Sequence, residues 1–328
     1  LSLVPLVGAL AAGNCAILKP SELAPASAGV MADLVRQYLD NNAVRVVEGG
    51  VDEAEALLAE KFDHIFFTGS GAVGQIVMRA ASANLTPVTL ELGGKSPCIL
   101  ASDANIKIAA RRIAWGKCLN AGQTCVAPDY ILAEPGTSAP FIKEFARSVQ
   151  EFYGENVQDS PDYPRIINDR HFARVQTMLA DGEIAFGGAA DANDRFIAPT
   201  ILQNLPEDAS ALGDEIFGPI LPIVEILDID AAIAYINARP KPLSLYLFSK
   251  SADLQRQVAT ETSSGSVCIN DVVMQLAAPG LPFGGIGASG MGTYQGRASF
   301  DTFSHLKPVL TKGFFGEVPL RYPPYSAR

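Results

Sequence analysis

Short apolar runs alternate with helical stripes through the first 92 residues of the chain. The apolar runs end at Leu18, Val47, Thr68 and Leu90. Between these runs, apolar residues recur at the spacing of an amphipathic helix. One such stripe consists of Val30, Leu34, Val35, Tyr38 and Leu39. A similar alternation resumes after the Gly-Gly turn at 93–94. Strands that alternate with helices favour parallel sheets covered by helices, so the sequence predicts an α/β fold in two domains.

The Gly-Gly turn is the predicted domain boundary. We assign residues 1–93 to a first domain and residues 94–300 to a second. The tail, residues 301–328, is rich in proline and aromatic residues, and we expect it to form an extended arm. A chain of 328 residues is long enough for two domains that each bury a hydrophobic core.

Charge and cysteine content exclude several functional classes. The net charge is −10 and the pI is about 4.8, whereas nucleic acids and anionic membranes bind basic surfaces. Five cysteines without CxxC spacing argue against a disulfide framework and favour a reducing compartment, so we expect a cytoplasmic protein. The three histidines are far apart, and no metal site is expected. No apolar run has the length of a membrane span.

A glycine-rich turn follows the apolar run that ends at Thr68. The segment from Gly69 to Gly74 satisfies G-x-G-x-x-G and opens a helical pattern. Glycines at such a turn let backbone N–H groups approach a phosphate, which the helix N-terminus also attracts. The context favours dinucleotide binding over an ordinary strand-to-helix turn. In the usual fingerprint an acid about 20 residues later binds the ribose. The nearest candidate, Glu91, is better placed for another task.

Cys125 and Glu91 form a candidate catalytic pair. Cys125 lies in a loop that a nearby glycine makes flexible, where a thiol can approach an electrophilic carbon closely. Glu91 precedes the Gly-Gly turn, where a carboxylate can hold and activate a water molecule. The pair predicts covalent carbonyl chemistry followed by hydrolysis. The alternative for Cys125 alone is a small buried hydrophobic residue, which is the usual role of a free cysteine.

Three other loops contain residues that could bind a ligand. Lys19 and Glu22 follow the first predicted strand, at the sheet edge where nucleotides bind, although they could equally flank a helix cap. Glu215 and Phe217 precede a Gly-Pro turn, where the acid could hold a ribose and the aromatic ring could cover a base, but such turns are usually only turns. The glycine-rich loop at 281–290 is interpreted as a close packing contact rather than a phosphate site.

Together these segments resemble the aldehyde dehydrogenase superfamily, in the order and spacing of that family and over the whole chain. The matching runs lie at residues 19–22, 67–70, 90–97, 122–125, 215–219 and 282–285. Finer features look like the class 3 branch, which includes fatty-aldehyde and coniferyl-aldehyde dehydrogenases. These features lie at residues 127–130, 270–271, 289–292, 303–305 and 321–324.

The resemblance implies a role for each matching position. Cys125 would be the nucleophile, Glu91 the general base, and Asn270 a residue near the substrate. The cofactor, NAD or NADP, would be bound by Lys19, Glu22, Gly69, Ser70, Gly74, Leu92, Glu215 and Phe217. The substrate would be a small-molecule aldehyde, medium-chain, long-chain or aromatic. The full-length protein would be a homodimer, with residues 301–328 as an oligomerisation arm.

One departure from the family pattern concerns the oxyanion hole. The family places an asparagine that binds the oxyanion just before the segment that begins here at Leu1. We therefore expect the natural protein to extend further and the first domain to be partial. Two alternatives to hydrolytic aldehyde oxidation stay open. One is an acylating dehydrogenase that transfers the acyl group to coenzyme A, and the other is a catalytically inert binding or structural fragment.

Overall fold

The computed structural model describes residues 2–278 and 280–325. Its first part alternates helices and strands, as predicted. The elements are α1 (Leu3–Ala11), β1 (Ala16–Leu18), α2 (Pro25–Tyr38), β2 (Val44–Val46), α3 (Val51–Ala59), β3 (Ile65–Thr68), α4 (Gly71–Ser82) and β4 (Val88–Glu91). Strand β1 pairs with β2, and β3 pairs with β4, in both cases in parallel.

The second part builds a larger α/β unit. Its elements are β5 (Pro97–Leu100), α5 (Ile106–Cys118), β6 (Tyr130–Ala133), α6 (Ser138–Tyr153), α7 (Asp169–Thr177), β7 (Glu183–Phe186), β8 (Ala190–Asp191), β9 (Phe196–Ile197), β10 (Thr200–Gln203), α8 (Ser210–Gly213), β11 (Ile220–Glu225), α9 (Ile229–Asn237), β12 (Ser244–Phe248), α10 (Ala252–Glu261), β13 (Ser266–Ile269), β14 (Gly290–Met291) and α11 (Gly296–Thr302).

A seven-stranded sheet organises this second part, in the order β13-β12-β5-β6-β11-β10-β7. Every pair in it is parallel except β10 with β7. All residues of β5, β6 and β12 are buried, which is typical of parallel strands covered on both faces. Neighbouring residues Ile131 and Leu132 belong to separate hydrophobic clusters, because successive side chains point to opposite faces of the sheet. The predicted α/β fold is confirmed.

Near its end, the chain adds a strand to the sheet that contains β3 and β4. Strand β14 pairs antiparallel with β4, so that Gly290 lies opposite Glu91. Gly290 has a φ of 137°, and a Cβ there would lie 2.0 Å from Leu90 O, so only glycine fits this approach. Helix α11 packs on α1, where a Cβ at Gly8 would lie 2.4 Å from Ser299 Cβ. The segment from β14 to α11 therefore contacts the predicted first domain. The boundaries at 93–94 and 300–301 stay predictions.

Much apolar surface of the helices and tail is exposed. In α2 the residues that pack inward are Ala28, Ala32 and Val35, so most of the stripe that predicts this helix faces outward. Residues 305–325 are exposed, including Leu310 and Phe314. None of the helices formed by residues 2–278 and 280–325 is both long enough and apolar enough to cross a membrane.

Candidate active site

The loop that carries Cys125 is sharply turned. Helix α5 ends at Cys118, and the chain then passes through three consecutive residues of positive φ: Asn120 at 52°, Ala121 at 51° and Gly122 at 73°. Left-handed backbone is unfavourable for residues with a Cβ and persists where the surroundings fix it, often at functional sites. The turn leaves Cys125 partly buried.

Gln123 fixes this loop from within. Its side-chain amide donates to Asn120 O and to Arg165 O, each at 3.0 Å, and its oxygen accepts from Ile167 N–H at 2.9 Å. These bonds tie the loop to the segment before α7. The motif that contains Gln123 was visible in the sequence, but these distant partners were not, and its structural role was missed.

The same loop lies against the turn that follows Glu215. A Cβ at Gly122 would lie 2.2 Å from Gly218 O, which only a glycine avoids. Phe217, at this turn, has a φ of 46° and a side chain that is 37% exposed. The two loops predicted to carry the nucleophile and the nicotinamide contacts are therefore direct neighbours.

Glu91 ends β4 and is buried between β3 and β14. The residue is 2% exposed, and neither carboxylate oxygen has a hydrogen-bond partner in the described part of the chain. Burial raises the pKa of Glu91 to about 8. The Gly285 amide dipole opposes this rise without meeting the geometry of a hydrogen bond. An unpaired buried carboxyl is costly, which is typical of a functional group rather than a structural one.

The Cys125 thiol lies within electrostatic reach of two carboxyl groups. Burial raises its pKa to about 12, and the charges of Glu215 and Glu91 raise it further. The sequence interpretation requires Cys125 and Glu91 to share a pocket, and the effect of the Glu91 charge on the Cys125 thiol is consistent with that.

Glu215 reaches the Gly-Gly turn after β4. A Cβ at Gly93 would lie 1.8 Å from Glu215 Oε2, so the carboxylate occupies the space that any larger residue would fill. Burial raises the pKa of Glu215 to about 8, and the Asp129 charge adds to this effect. The segments that contain Glu91, Cys125 and Glu215 therefore converge on one site.

The first backbone N–H groups of α4 have no partner within the helix, as at the start of any helix, and they can bind an anion. Ser70 caps it by accepting from Val73 N–H at 3.4 Å, and Gly69 N–H donates to Glu91 O at 3.0 Å. A Cβ at Gly74 would lie 2.6 Å from Leu92 Cδ2, so α4 packs closely on the end of β4. The predicted role of Gly69, Ser70, Gly74 and Leu92 in binding the cofactor stays a prediction.

Lys19 and Glu22 pair with each other directly after β1. Lys19 Nζ lies 3.0 Å from Glu22 Oε2, and the Glu22 side chain is 46% exposed. The pKa of Glu22 is lowered by a backbone hydrogen bond and by Lys19. The ion pair can break so that both side chains bind ribose hydroxyls. The cofactor role of Lys19 and Glu22 stays a prediction.

Asn270 is held by the end of β12. Its Oδ1 accepts from Ser249 N–H and its Nδ2 donates to Ser249 O, each at 2.9 Å. These bonds explain how the residue holds a φ of 59°. They give Asn270 a structural role, and its predicted proximity to the substrate stays a prediction.

Tyr294 was not predicted from the sequence. Its ring is 2% exposed and packs edge-on against Phe66 and Phe283, with centroid distances of 5.1 and 5.8 Å. Burial, and then the charges of Glu91 and Cys125, raise the pKa of its hydroxyl well above the usual range. Tyr294 thus forms an aromatic wall beside the candidate catalytic pair. No local motif marks it, because the contact joins β3 to the loop around β14.

Comparison with known proteins identifies relatives of the whole chain. Residues 1–309 match the model of the aldehyde dehydrogenase family. Aldehyde dehydrogenase family 3 member A2 of Mus musculus is 54% identical over 328 residues, which cover 99% of this chain and 68% of that protein. The dimeric, NADP-preferring aldehyde dehydrogenase of Rattus norvegicus is 51% identical over 330 residues, which cover 100% of this chain and 73% of that protein.

A solved structure shares the fold. The substrate-bound state of Staphylococcus aureus AldH is 50% identical and superposes with a TM-score of 0.94. The superposition covers 99% of this chain and 71% of that one. The resemblance predicted from the sequence motifs is confirmed.

Proposed function

Because the chain belongs to the aldehyde dehydrogenase family, we propose that it oxidises an aldehyde to the carboxylic acid through a covalent intermediate on Cys125. The family uses NAD or NADP. The observation that carries the proposal is a partly buried thiol within electrostatic reach of Glu91, a carboxyl group without a hydrogen-bond partner in the described residues. The Glu215 carboxylate is also within electrostatic reach of the thiol, which supports a cofactor site close to Cys125.

Cys125 Sγ attacks the aldehyde carbon and forms a thiohemiacetal. As the C–S bond forms, the thiol proton is transferred to the former carbonyl oxygen, which passes from an oxyanion to the hydroxyl of the thiohemiacetal. The Cys125 backbone N–H stabilises the oxyanion. NAD or NADP supplies the hydride acceptor. Loss of the hydride and of the hydroxyl proton from the thiohemiacetal leaves a thioester on Sγ.

Six groups of this chain would bind the cofactor. The N-terminus of α4 and Ser70 would hold its diphosphate. Lys19 and Glu22 would bind the adenosine ribose. Glu215 would bind the nicotinamide ribose, and Phe217 would lie beside the nicotinamide ring. The close approach of Glu215 to Gly93 supports this assignment, because it directs a carboxylate toward Cys125 rather than into solvent.

Glu91 completes the cycle as the general base. Its carboxylate takes a proton from a water molecule, which attacks the thioester carbon and releases the acid and the Cys125 thiol. A base with a pKa near the working pH combines the correct protonation state with useful basicity. The absence of a hydrogen-bond partner for Glu91 within residues 2–278 and 280–325 supports a carboxylate that is available to water.

The pH dependence of thioester hydrolysis tests this role. Only ionised Glu91 can accept a proton, and burial raises its pKa to about 8. Single-turnover hydrolysis of the thioester should therefore accelerate from pH 6.5 upward, be half-maximal near pH 8 and level off above about pH 9. Cys125 does not titrate in this measurement because its sulfur is acylated. A rate independent of pH over this range would mean that Glu91 is not the base.

The resemblance to the class 3 branch supports medium-chain, long-chain or aromatic aldehydes as substrates. The dimeric relative from rat supports a homodimer, with the exposed residues 305–325 as part of its interface. A cytoplasmic location stays a proposal that follows from cysteine content alone.

Product analysis separates this function from the two alternatives. With aldehyde, NAD or NADP, and coenzyme A present, we expect carboxylic acid as the main product, at a rate independent of coenzyme A. Acyl-CoA as the main product would contradict the hydrolytic role of Glu91. No NAD(P)H with any aldehyde, together with no iodoacetamide labelling of Cys125, would contradict catalysis and favour an inert fragment.

A further inference from the structure

Three charged side chains form a buried cluster beside the candidate active site. The Asp129 carboxylate lies 2.7 Å from Lys95 Nζ and 3.6 Å from Lys117 Nζ. The side chains of Asp129 and Lys117 are 4% and 0% exposed. A buried ion pair is weak evidence for stability, because desolvation offsets most of the attraction. The cluster therefore needs another explanation.

The cluster joins the segments that carry the two candidate catalytic residues. Lys95 follows Glu91 by four residues, and Asp129 follows Cys125 by four. The backbone N–H of Asp129 also donates to Ser96 O at 2.8 Å. A charge pair and a backbone bond thus hold the Glu91 segment against the Cys125 segment.

The same pair binds the loop that carries Glu215, on both sides of that residue. Lys95 Nζ donates to Asp214 O at 3.1 Å. Ile216 N–H donates to the Asp129 carboxylate, with distances of 3.2 and 3.3 Å to its two oxygens. The position of Glu215 is therefore coupled directly to the Lys95–Asp129 pair.

Lys117 contributes charge rather than a further contact with the loop. Its Nζ has no hydrogen-bond partner in the described residues, and Asp129 is its ion-pair partner. Burial lowers the pKa of Lys117 to about 8, and the attraction of Asp129 opposes this effect. Removing the Asp129 charge would leave the Lys95 and Lys117 ammonium groups without their ion-pair partner, which is strongly unfavourable for the fully buried Lys117.

We propose that Lys95 and Asp129 are positioning residues that hold the Glu215 carboxylate beside Cys125, with Lys117 as a second ion-pair partner of Asp129. The consequence for turnover rests on the proposed function of Glu215 in binding the nicotinamide ribose. The positioning role does not depend on that function, because it concerns only the location of the Glu215 carboxylate.

The reactivity of Cys125 reports that position without any cofactor. The Glu215 charge raises the pKa of the Cys125 thiol, whereas Asp129 is not among the groups that affect it. In Asp129→Asn, a displaced Glu215 should let the thiol ionise at lower pH. We expect iodoacetamide to alkylate Cys125 about 3-fold faster at pH 9.5, the effect of roughly half a pKa unit. At that pH Glu215 is ionised with or without the Asp129 charge, which itself raises the Glu215 pKa. Glu215→Gln should give an increase in the same direction.

Steady-state kinetics report the functional consequence. Asp129→Asn should lower kcat/KM for NAD or NADP by about 10²-fold, because displacement by about 1 Å has effects of this size. Hydrolysis of an activated ester, which needs Cys125 and Glu91 but no cofactor, should change much less. A merely structural role would lower both activities in proportion to the folded fraction.

Two further variants separate positioning from stability. Asp103→Asn removes another carboxylate that binds backbone N–H groups, those of Lys250 and Ser251 at 2.9 Å, and should alter neither alkylation nor the kinetic ratio. The double variant Asp129→Asn/Lys117→Met removes one unpaired buried cation, so it should recover thermal stability but not cofactor kinetics.

Three outcomes would overturn the positioning role. The first is unchanged Cys125 alkylation in Asp129→Asn where Glu215→Gln accelerates it. The second is an equal loss of ester hydrolysis and aldehyde oxidation. The third is recovery of cofactor kinetics in the double variant. Normal cofactor kinetics in Glu215→Gln, with accelerated alkylation in both single variants, would instead contradict the proposed ribose contact and leave the positioning role supported.

Discussion

Replacing Cys125 with alanine is expected to abolish NAD(P)-dependent aldehyde oxidation, with a loss of at least about 10³-fold in kcat. Every step of the proposed cycle takes place on Cys125 Sγ. Cys98 and Cys118 are fully buried, and burial raises their pKa values, which makes them inert. NAD(P)H formation at saturating aldehyde is the measurement.

Cys118→Ala is the matched control. It removes a buried thiol from the end of α5, close in sequence to the catalytic loop, and should affect stability more than turnover. Circular dichroism should show that both variants remain folded. Activity of Cys125→Ala within tenfold of the wild type would exclude covalent catalysis at this residue.

Replacing Glu91 with glutamine is expected to stop turnover after the first hydride transfer. Glutamine has nearly the same shape but cannot accept a proton from water, so the thioester should accumulate. Steady-state turnover should fall by about 10²–10⁴-fold, the usual contribution of a general base. Rapid mixing with aldehyde and NAD or NADP should show a burst of one NAD(P)H per active site, followed by a slow phase.

Glu55→Gln is a suitable control, because Glu55 is exposed on α3 and should leave both phases unchanged. Two results would contradict the assignment of Glu91. Normal steady-state turnover would show that another group activates water. Loss of the burst itself would show that Glu91 acts before the thioester forms.

The fold and the candidate catalytic pair were largely predictable from the sequence, because their signals are local. The parallel strands β5, β6 and β12 are continuous apolar runs, as strands buried on both faces must be. Glu91 and Cys125 lie in glycine-containing segments whose chemistry is visible from neighbouring residues.

The features that escaped prediction depend on contacts between distant segments. The pairing of β14 with β4 requires Gly290 to accept a close approach from Leu90, which no periodicity reveals. Lys117 appears in the sequence as a charged residue of a helix, yet it is fully buried beside Asp129, which directly precedes β6 and supplies a counter-charge. The outward face of α2 shows the converse, since apolar spacing predicts a helix but not which side packs inward.

The most direct test of covalent catalysis is mass spectrometry of Glu91→Gln after incubation with an aldehyde and NAD or NADP. We expect the protein mass to increase by that of the acyl group, and peptide mapping to find the acyl group on Cys125. An unmodified protein that has nonetheless produced NAD(P)H, or an acyl group on any other residue, would contradict a thioester at Cys125.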